Sequence, residues 1–347
     1  MPGRRILIDS PSEGEYGASP GMRMDARLTE CLAPVSDSLA EFEIAFHASL
    51  ADGTGLQSVV AEHLMATRGK RMRPAVVLLA HRSVAPGSPP AVGAAVAIEL
   101  IHTATLLHDD VIDVSDQRRG RLSVNARWNN LTAVLMGDHL FARAFGVLVE
   151  LKNHRLLEAV SLATRRVAVG ELQQLQQVRN VDLQEHEYLR IIADKTASLF
   201  GASAEAGLLN AQPDSSAAEM YREFGETLGM SFQIVDDLLD YVGNTPQTGK
   251  TLGNDLKEGK ITLPLIHALR SAPATARREI VAALRDYTPE GFEAVRKFVD
   301  HHGGFAYARE KADQFTDHAL DLLRTFSESL YQQALKKLVE YSVDRNG

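Results

Sequence analysis

Two segments of this sequence repeat the pattern Asp-Asp-x-x-Asp at the end of an apolar stretch, LLHDDVID and FQIVDDLLD. On a helix, aspartates four positions apart project from one face, one turn apart. Carboxylates held so close repel each other, and burial makes this costlier unless a cation lies between them. The six aspartates are Asp109, Asp110 and Asp113 in the first segment and Asp236, Asp237 and Asp240 in the second.

A magnesium site would account for both segments. Mg²⁺ prefers hard oxygen ligands and is usually bound by one or two carboxylates together with phosphate oxygens and water. One such motif alone could equally be a solvated acidic helix end. Its recurrence disfavours that alternative, because two facing helices would form one carboxylate-lined opening able to hold several Mg²⁺ ions on a diphosphate. The candidate metal ligands are Asp109, Asp113, Asp236 and Asp240.

Basic residues cluster at two other places. The segment GKRMRP at 69–74 puts three of them at a loop-to-helix junction, where free backbone N–H groups favour anions, and Arg118 and Arg119 follow the first acidic motif. Arginine matches phosphate oxygens with paired hydrogen bonds. Each cluster alone could be a solvated turn, but the net charge of −8 makes them stand out. Together with the aspartates they predict a polyphosphate site, and the acidic balance argues against a nucleic-acid binder.

The remaining sequence predicts helices that would position these groups. Apolar residues recur at helical spacing, and no alternating β-branched run lies between hairpin turns. We therefore predict an all-α fold, a single large helical bundle, over residues 25–347, with a polar loop at 118–123. Residues 1–24, rich in Gly, Pro and Ser, predict a disordered tail.

Other features limit the setting of the protein. The single cysteine, Cys31, excludes an intrachain disulfide and favours a reducing, cytoplasmic location. The apolar stretch Ala91–Leu107 contains Glu99 and His102 and is slightly short for a membrane span, so it predicts a buried core helix. We expect no stable membrane insertion.

Eight motifs, in order, give the sequence a specific resemblance to the trans-isoprenyl diphosphate synthases (polyprenyl synthetases). The resemblance runs from about residue 68 to the C-terminal helices. It rests on GKRMRP at 69–74, HTATLLHDDVID at 102–113, RRG at 118–120, GD at 137–138, GELQQL at 170–175, KTASLF at 195–200, FQIVDDLLD at 232–240 and GKTLGNDLKEGKITLP at 249–264. It implies the isoprenoid synthase bundle with a central cavity.

The resemblance also implies a reaction and residue roles. Mg²⁺ on the two aspartate motifs would bind an allylic diphosphate, which condenses with isopentenyl diphosphate. Further ligands of the allylic diphosphate would be Arg118, Lys195, Lys250 and Lys260. The isopentenyl diphosphate site would comprise Lys70, Arg73, His102 and Arg119. Thr196 and Gln233 would lie beside the carbocation. A lone histidine on an apolar helix is otherwise a hydrogen-bonded core residue, and this alternative stays open for His102.

Product length should depend on the residues behind the first motif. Thr105 and Ala104 lie one turn before Asp109, and Ile101 lies two turns before it. Short-chain members of the family resemble one another in carrying Phe or Tyr at one or both nearer positions. Both are small here, which predicts an open tunnel and a product in the hexaprenyl to decaprenyl range, with geranylgeranyl as the alternative. Phe145 is either a deeper floor of the tunnel or ordinary core.

Several alternatives remain at this point. A class I terpene cyclase also uses an aspartate-rich motif and Mg²⁺, but it has no need of a second diphosphate site. A non-catalytic helical scaffold would not need the intact aspartates and basic ligands. The resemblance implies a homodimer, and the catalytic subunit of a heteromeric synthase would share every motif.

Overall fold

The computed structural model describes residues 25–51, 53–67, 69–243, 252–284 and 288–344. The predicted tail at 1–24 and the predicted ligand Lys250 lie outside these residues. Within them, seventeen α-helices account for nearly all regular structure, as the helical spacing of apolar residues predicted.

The first nine helices include α5, which ends in the first aspartate motif. They are α1 (Ala26–Leu32), α2 (Ser36–Leu50), α3 (Leu56–Met65), α4 (Met72–Val84), α5 (Val92–Ile112), α6 (Val124–Arg127), α7 (Asn130–Glu150), α8 (His154–Gln176) and α9 (Glu185–Ile192), with a 3-10 turn at Ala33–Val35. A π-helical turn, Ala193–Ala197, joins α9 to the next helix.

The second half carries the other motif and closes the bundle. Its helices are α10 (Ser198–Ala211), α11 (Ala218–Val242), α12 (Asn254–Lys257), α13 (Leu263–Ser271), α14 (Ala274–Ala283), α15 (Pro289–His301), α16 (Gly304–Leu323) and α17 (Leu330–Val343). Side-chain caps explain several of the starts. Asn129 and Asn153 accept hydrogen bonds from the N–H groups of Thr132 and Leu156, at 2.8 and 3.0 Å, and so begin α7 and α8.

The prediction of a polar loop at 118–123 is wrong in one detail. Two short antiparallel strands, β1 (Gln117–Arg118) and β2 (Arg121–Leu122), form a hairpin there. Its turn uses positive φ at Arg119 and Gly120, the backbone conformation that a tight two-residue hairpin requires. The turn therefore fixes the direction in which the two arginines leave the backbone.

Helices α4, α5, α10 and α11 form the centre of the bundle. Ten of the thirteen residues of α4 are buried, and α10 is buried from Ser198 to Ala204. Helices α10 and α11 approach closely at Gly225, where an added Cβ would lie 2.3 Å from the carbonyl oxygen of Phe200. A second apolar cluster fills the space between α9, the end of α11 and helices α13 to α16. These helices pack around the end of α11, while α5 packs against α2, α4, α7 and α10.

Helix α7 has a different character. Among the described residues it alone is long and apolar enough to cross a membrane by length and composition, and only 33% of that stretch is buried. The sequence-based expectation centred on Ala91–Leu107 instead, and that stretch lies in α5, whose residues from Ala94 to Ile101 are all buried. Helix α7 therefore carries exposed apolar residues, whereas the segment 94–101 of α5 does not.

Candidate active site

The ends of α5 and α11 open into one cavity of about 1480 Å³. Helices α7 and α8, the π turn and the segment around α12 complete its walls. Most of the residues singled out in the sequence line it: Arg73, His102, Thr105, Asp109, Asp113, Arg118, Arg119, Phe145, Lys195, Thr196, Gln233, Asp236, Asp237 and Lys260. Residues from six separate motifs thus meet around one space.

Five other residues named from the sequence do not line this cavity: Lys70, Ile101, Ala104, Asp110 and Asp240. Lys70 is exposed, with its ammonium 5.8 Å from the ring centre of Tyr341. Ile101 and Ala104 are fully buried in the core. Asp110 lies one position from Asp109 and points to a small neighbouring pocket behind α5.

The first aspartate motif divides its three carboxylates between different partners. Asp109 faces the cavity, and burial raises its pKa to about 6. Asp110 is 3% exposed and binds Arg118, whose Nη2 lies 2.6 Å and whose Nε lies 2.7 Å from Oδ1. Asp113 accepts a hydrogen bond from Lys260 Nζ at 3.0 Å. The inner carboxylate therefore fixes an arginine, while the outer two remain at the cavity.

The second motif shows the same division. Asp237 is 5% exposed and accepts hydrogen bonds from the Tyr188 hydroxyl at 2.7 Å and the Gln233 amide at 2.6 Å. Burial is the main cause of its raised pKa. The carboxylate of Asp240 accepts the backbone N–H groups of residues 254 and 255, at 3.2 and 3.0 Å, and so begins α12. Asp236 lines the cavity.

The donor set fits Mg²⁺ bound together with a ligand. Among the residues that the structure describes, no three Asp, Glu, His or Cys side chains come together as a cage for a metal. Asp109, Asp113 and Asp236 nevertheless bring hard oxygen atoms to the same cavity from two helices. Mg²⁺ typically takes only one or two carboxylates and completes its shell with water and phosphate oxygens. Separated carboxylates that share a cavity suit that mode of binding.

The π turn places Lys195 and Thr196 on the cavity wall. Lys195 Nζ forms an ion pair with Glu171 and donates to Gln174 Oε1 at 2.5 Å, both on α8. Thr196 Oγ1 donates to Gln233 Oε1 at 2.8 Å. Gly170 allows α8 to approach this turn, since an added Cβ would lie 2.5 Å from the Lys195 nitrogen. Turns of this type occur frequently at functional sites.

A second cationic group lies behind the first motif. Arg73 is partly buried at the cavity wall, and its guanidinium lies 4.4 Å from the ring centre of Phe200. Burial lowers the pKa of Arg73 to about 10, so the group stays charged at neutral pH. Burial, with Arg73 nearby, also lowers the pKa of His102, and the neutral ring accepts a hydrogen bond from Arg73 Nη1 at 3.2 Å. Arg119 completes this basic wall.

Arg73 Nε is buried without a hydrogen-bond partner, which marks it as a donor available to a ligand. Arg71, from the same basic motif, is used differently. Its guanidinium pairs with Glu43 at 2.8 Å and with Glu99 at 2.7 Å, and its side chain is 9% exposed. The motif therefore supplies one arginine to the cavity and one to the core.

The opposite part of the cavity is apolar. Phe141 and Phe145 of α7 and Val167, Ala168 and Leu172 of α8 line it. An anionic ligand bound at the aspartates could extend a hydrocarbon chain along these apolar side chains. The cavity thus combines a charged end with a long apolar side.

Sequence reasoning did not assign a role to several residues that the structure brings to the site. Glu171 and Gln174 hold Lys195, although their motif GELQQL was noted. Tyr188 binds Asp237, and no sequence pattern marked it, because its partner lies 49 positions away. Glu258 binds Lys260 at 2.5 Å inside the motif at 249–264. The spacing in the sequence signals helix faces but not which faces meet.

Comparisons with known proteins agree with this geometry. The model of the polyprenyl synthetase family matches residues 56–301. The chain is 40% identical over 318 residues to the all-trans-nonaprenyl-diphosphate synthase (geranyl-diphosphate specific) of Rhodobacter capsulatus, covering 91% of this chain and 97% of that protein. It is 40% identical over 279 residues to the octaprenyl diphosphate synthase of Haemophilus influenzae, covering 80% and 85%.

A solved structure extends the comparison to three dimensions. The crystal structure of a polyprenyl synthase from Caulobacter crescentus, complexed with calcium and isoprenyl diphosphate, has a TM-score of 0.86 to this chain at 35% identity, over 95% of this chain and 100% of that one. The chain therefore belongs to the polyprenyl synthetase family, whose members are prenyltransferases with an all-helical fold.

Proposed function

We propose that this enzyme condenses isopentenyl diphosphate with an allylic prenyl diphosphate and releases a medium- or long-chain all-trans polyprenyl diphosphate. One observation carries the proposal: Asp109, Asp113 and Asp236 line the same cavity as a separate basic group at Arg73 and Arg119. Two anionic sites of different chemistry beside an apolar wall suit two diphosphate substrates. A terpene cyclase would have no use for the second site.

The chain's own residues divide the work. Asp109, Asp113 and Asp236, with Asp240 at the start of α12, would hold Mg²⁺ ions, which act as Lewis acids on the departing diphosphate. Lys195, Lys260 and Arg118 neutralise the charge that develops on the leaving group. Lys250, which lies outside the described residues, belongs to the same proposed set.

The other substrate would bind without the aspartates. Arg73 and Arg119, with Lys70 at the surface, would bind the diphosphate of isopentenyl diphosphate, and His102 orients Arg73 through the hydrogen bond between them. Thr196 and Gln233 face the cavity where positive charge would develop on the allylic carbon. Burial of this region excludes water, which would otherwise capture the cation.

Product analysis tests the function. The purified chain would be incubated with Mg²⁺, isopentenyl diphosphate and geranyl, farnesyl or geranylgeranyl diphosphate, and the products measured by mass spectrometry. We expect hexaprenyl to decaprenyl products from the chain alone. Cyclised hydrocarbons would contradict the proposal. Activity only after a small partner protein is added would instead identify a heteromeric catalytic subunit, and a geranylgeranyl product would correct the chain length.

Of the two positions nearest the first aspartate motif, Thr105 is the better one at which to test product length. Thr105 lies on the cavity wall, whereas Ala104 is fully buried, so a phenylalanine at Ala104 must first displace packed neighbours. We expect Thr105→Phe to shorten the main product, because the larger side chain would block the part of the cavity in which the product extends. Mass spectrometry of the products would measure this. Thr103→Val is the control, because Thr103 lines the small pocket behind α5 instead. An unchanged product from Thr105→Phe would contradict this tunnel.

We propose that a second copy of the chain covers α7. Exposed apolar residues follow one face of this helix, with Leu131 66%, Leu135 57% and Val149 63% exposed. Such a stripe, in which Asp138 is the one charged residue, signals association, and the small residues Ala142 and Gly146 allow close helix packing. The stripe consists of Leu131, Leu135, Asp138, Ala142, Gly146 and Val149.

Dimer formation through this stripe predicts a clear effect of Leu135→Glu. The charge would have to be buried at the interface, so we expect a halved molar mass in solution by light scattering coupled to size-exclusion chromatography. Leu330→Glu is the matched control, because Leu330 is 54% exposed on α17. A dimeric Leu135→Glu variant would remove α7 from the interface. A homodimer of this kind suits a cytoplasmic enzyme, and we propose that this protein is cytoplasmic.

A further inference from the structure

Arg166 lies outside the cavity but contacts the π turn from behind. It projects from α8, and its Nε donates to the Asp194 carboxylate at 2.7 Å. Its Nη2 approaches the carbonyl oxygen of Ala193 at 3.4 Å. Its Nη1 forms an ion pair with Glu226 of α11. One guanidinium therefore joins α8, the first two residues of the π turn and the helix that carries the second aspartate motif.

A π turn is an uncommon backbone state that needs support from its surroundings. Here the Ser198 N–H bonds to the carbonyl of Ala193, five residues back, and the Ser198 hydroxyl donates to the carbonyl of Asp194 at 2.6 Å. Arg166 binds the same two residues, through the carbonyl of one and the side chain of the other. Arg166, through its side chain, and Ser198, through its N–H and hydroxyl, thus act at the two positions whose bonding separates a π turn from an ordinary helix.

The consequence for the site follows from helix geometry. Removing the extra residue of the π turn would rotate the residues on one side of it by about 100° relative to the other. Lys195 and Thr196 lie inside the turn, so an ordinary helix could not keep both on the cavity wall while α9 and α10 stay packed. Without Arg166, the Asp194 and Glu226 carboxylates would also lose the charge between them.

We infer that Arg166 is a positioning residue, which keeps the segment Ala193–Ala197 in its π conformation so that Lys195 and Thr196 face the allylic substrate. Arg166 does not line the cavity and takes no part in the chemistry. The inference rests on the proposed function, because it concerns the two groups assigned to the leaving diphosphate and the carbocation. Arg73 and Arg119 lie on other elements and make no hydrogen bond to the turn, although Arg73 stacks on Phe200 in the helix that follows it.

Steady-state kinetics of Arg166→Leu test this role. We expect kcat to fall at least about tenfold, because misplaced groups lose transition-state stabilisation, while KM for isopentenyl diphosphate stays unchanged. Arg165→Leu is the matched control, since Arg165 is the exposed neighbour on α8. Ser198→Ala is a milder variant expected to lower kcat about two- to tenfold in the same way. Asp194→Ala combined with Arg166→Leu should be no worse than Arg166→Leu alone.

Amide hydrogen exchange gives a readout that does not depend on activity. We expect exchange at residues 193–198 to accelerate in Arg166→Leu and in Ser198→Ala, with exchange in α4 and α5 unchanged. A variant with lower thermal stability but wild-type kcat and local exchange would show a merely structural role and overturn the inference. A wild-type chain without prenyl transfer would reject the proposed function separately, while the exchange data would still decide whether Arg166 holds the turn.

Discussion

Asp236→Asn is expected to lower kcat by about 10³-fold or more, because the proposed metal site would lose a carboxylate where charge develops on the departing diphosphate. Such electrostatic stabilisation amounts to several kcal/mol, and each 1.4 kcal/mol corresponds to about a tenfold rate change. Asparagine keeps the shape of the side chain and removes its charge. Asp236 lines the cavity and the neighbouring Asp237 already has two hydrogen-bond partners, so the fold should tolerate the change.

The measurement is kcat at saturating substrates across a range of Mg²⁺ concentrations. We expect the variant to need more Mg²⁺ and to remain slow at saturation. Glu223→Gln is the control on the same helix, because Glu223 is exposed and pairs with His318 at the surface. Wild-type kcat in Asp236→Asn at every Mg²⁺ concentration would exclude this aspartate from the metal site.

Arg73→Gln is expected to raise KM for isopentenyl diphosphate about 100-fold. Arg73 is charged, lines the cavity and has a buried Nε without a hydrogen-bond partner, so a bound diphosphate would receive a charge-assisted hydrogen bond. Loss of one such bond, together with the charge, corresponds to about 2–3 kcal/mol. The affinity for the allylic substrate should change less, because its proposed ligands are the aspartates, Lys195 and Lys260, which come from other elements.

Separate titrations of the two substrates distinguish this effect from general damage. Arg82→Gln serves as the control on α4, since its guanidinium binds the carbonyl oxygens of Pro86 and Ser88 at 2.7 Å, away from the cavity. Equal increases in both KM values for Arg73→Gln would mean that the residue supports the whole cavity rather than one diphosphate.

The sequence predicted the helical bundle well, because helix periodicity is a local property. The aspartates of the first motif illustrate both its success and its limit. Their spacing correctly placed Asp109 and Asp113 on one side of a helix that faces a cavity. It did not show that Asp110 binds Arg118, since that pairing depends on how the hairpin folds back over α5.

Long-range contacts account for most of what sequence reasoning did not predict. The three arginines Arg71, Arg73 and Arg118 look alike in the sequence, yet Arg71 is committed to Glu43 and Glu99. The sequence predicts a loop at 118–123 rather than the observed hairpin at 117–122, because strands of two residues are too short to show an alternating pattern. The π turn is likewise a product of its neighbours and has no signature in the motif KTASLF.

The bridge from Lys260 to Asp113 and Glu258 has a consequence for the order in which ligands arrive. The Lys260 ammonium compensates the charge of Asp113, a carboxylate that a magnesium ion would need. The carboxylates of Asp113 and Glu258 would in turn repel an incoming diphosphate. If the metal ion and the diphosphate bind together, both conflicts are removed, because the diphosphate would pair with Lys260 and the metal ion with Asp113. Each should therefore bind tighter in the presence of the other, and by linkage the mutual enhancement must be equal for the two.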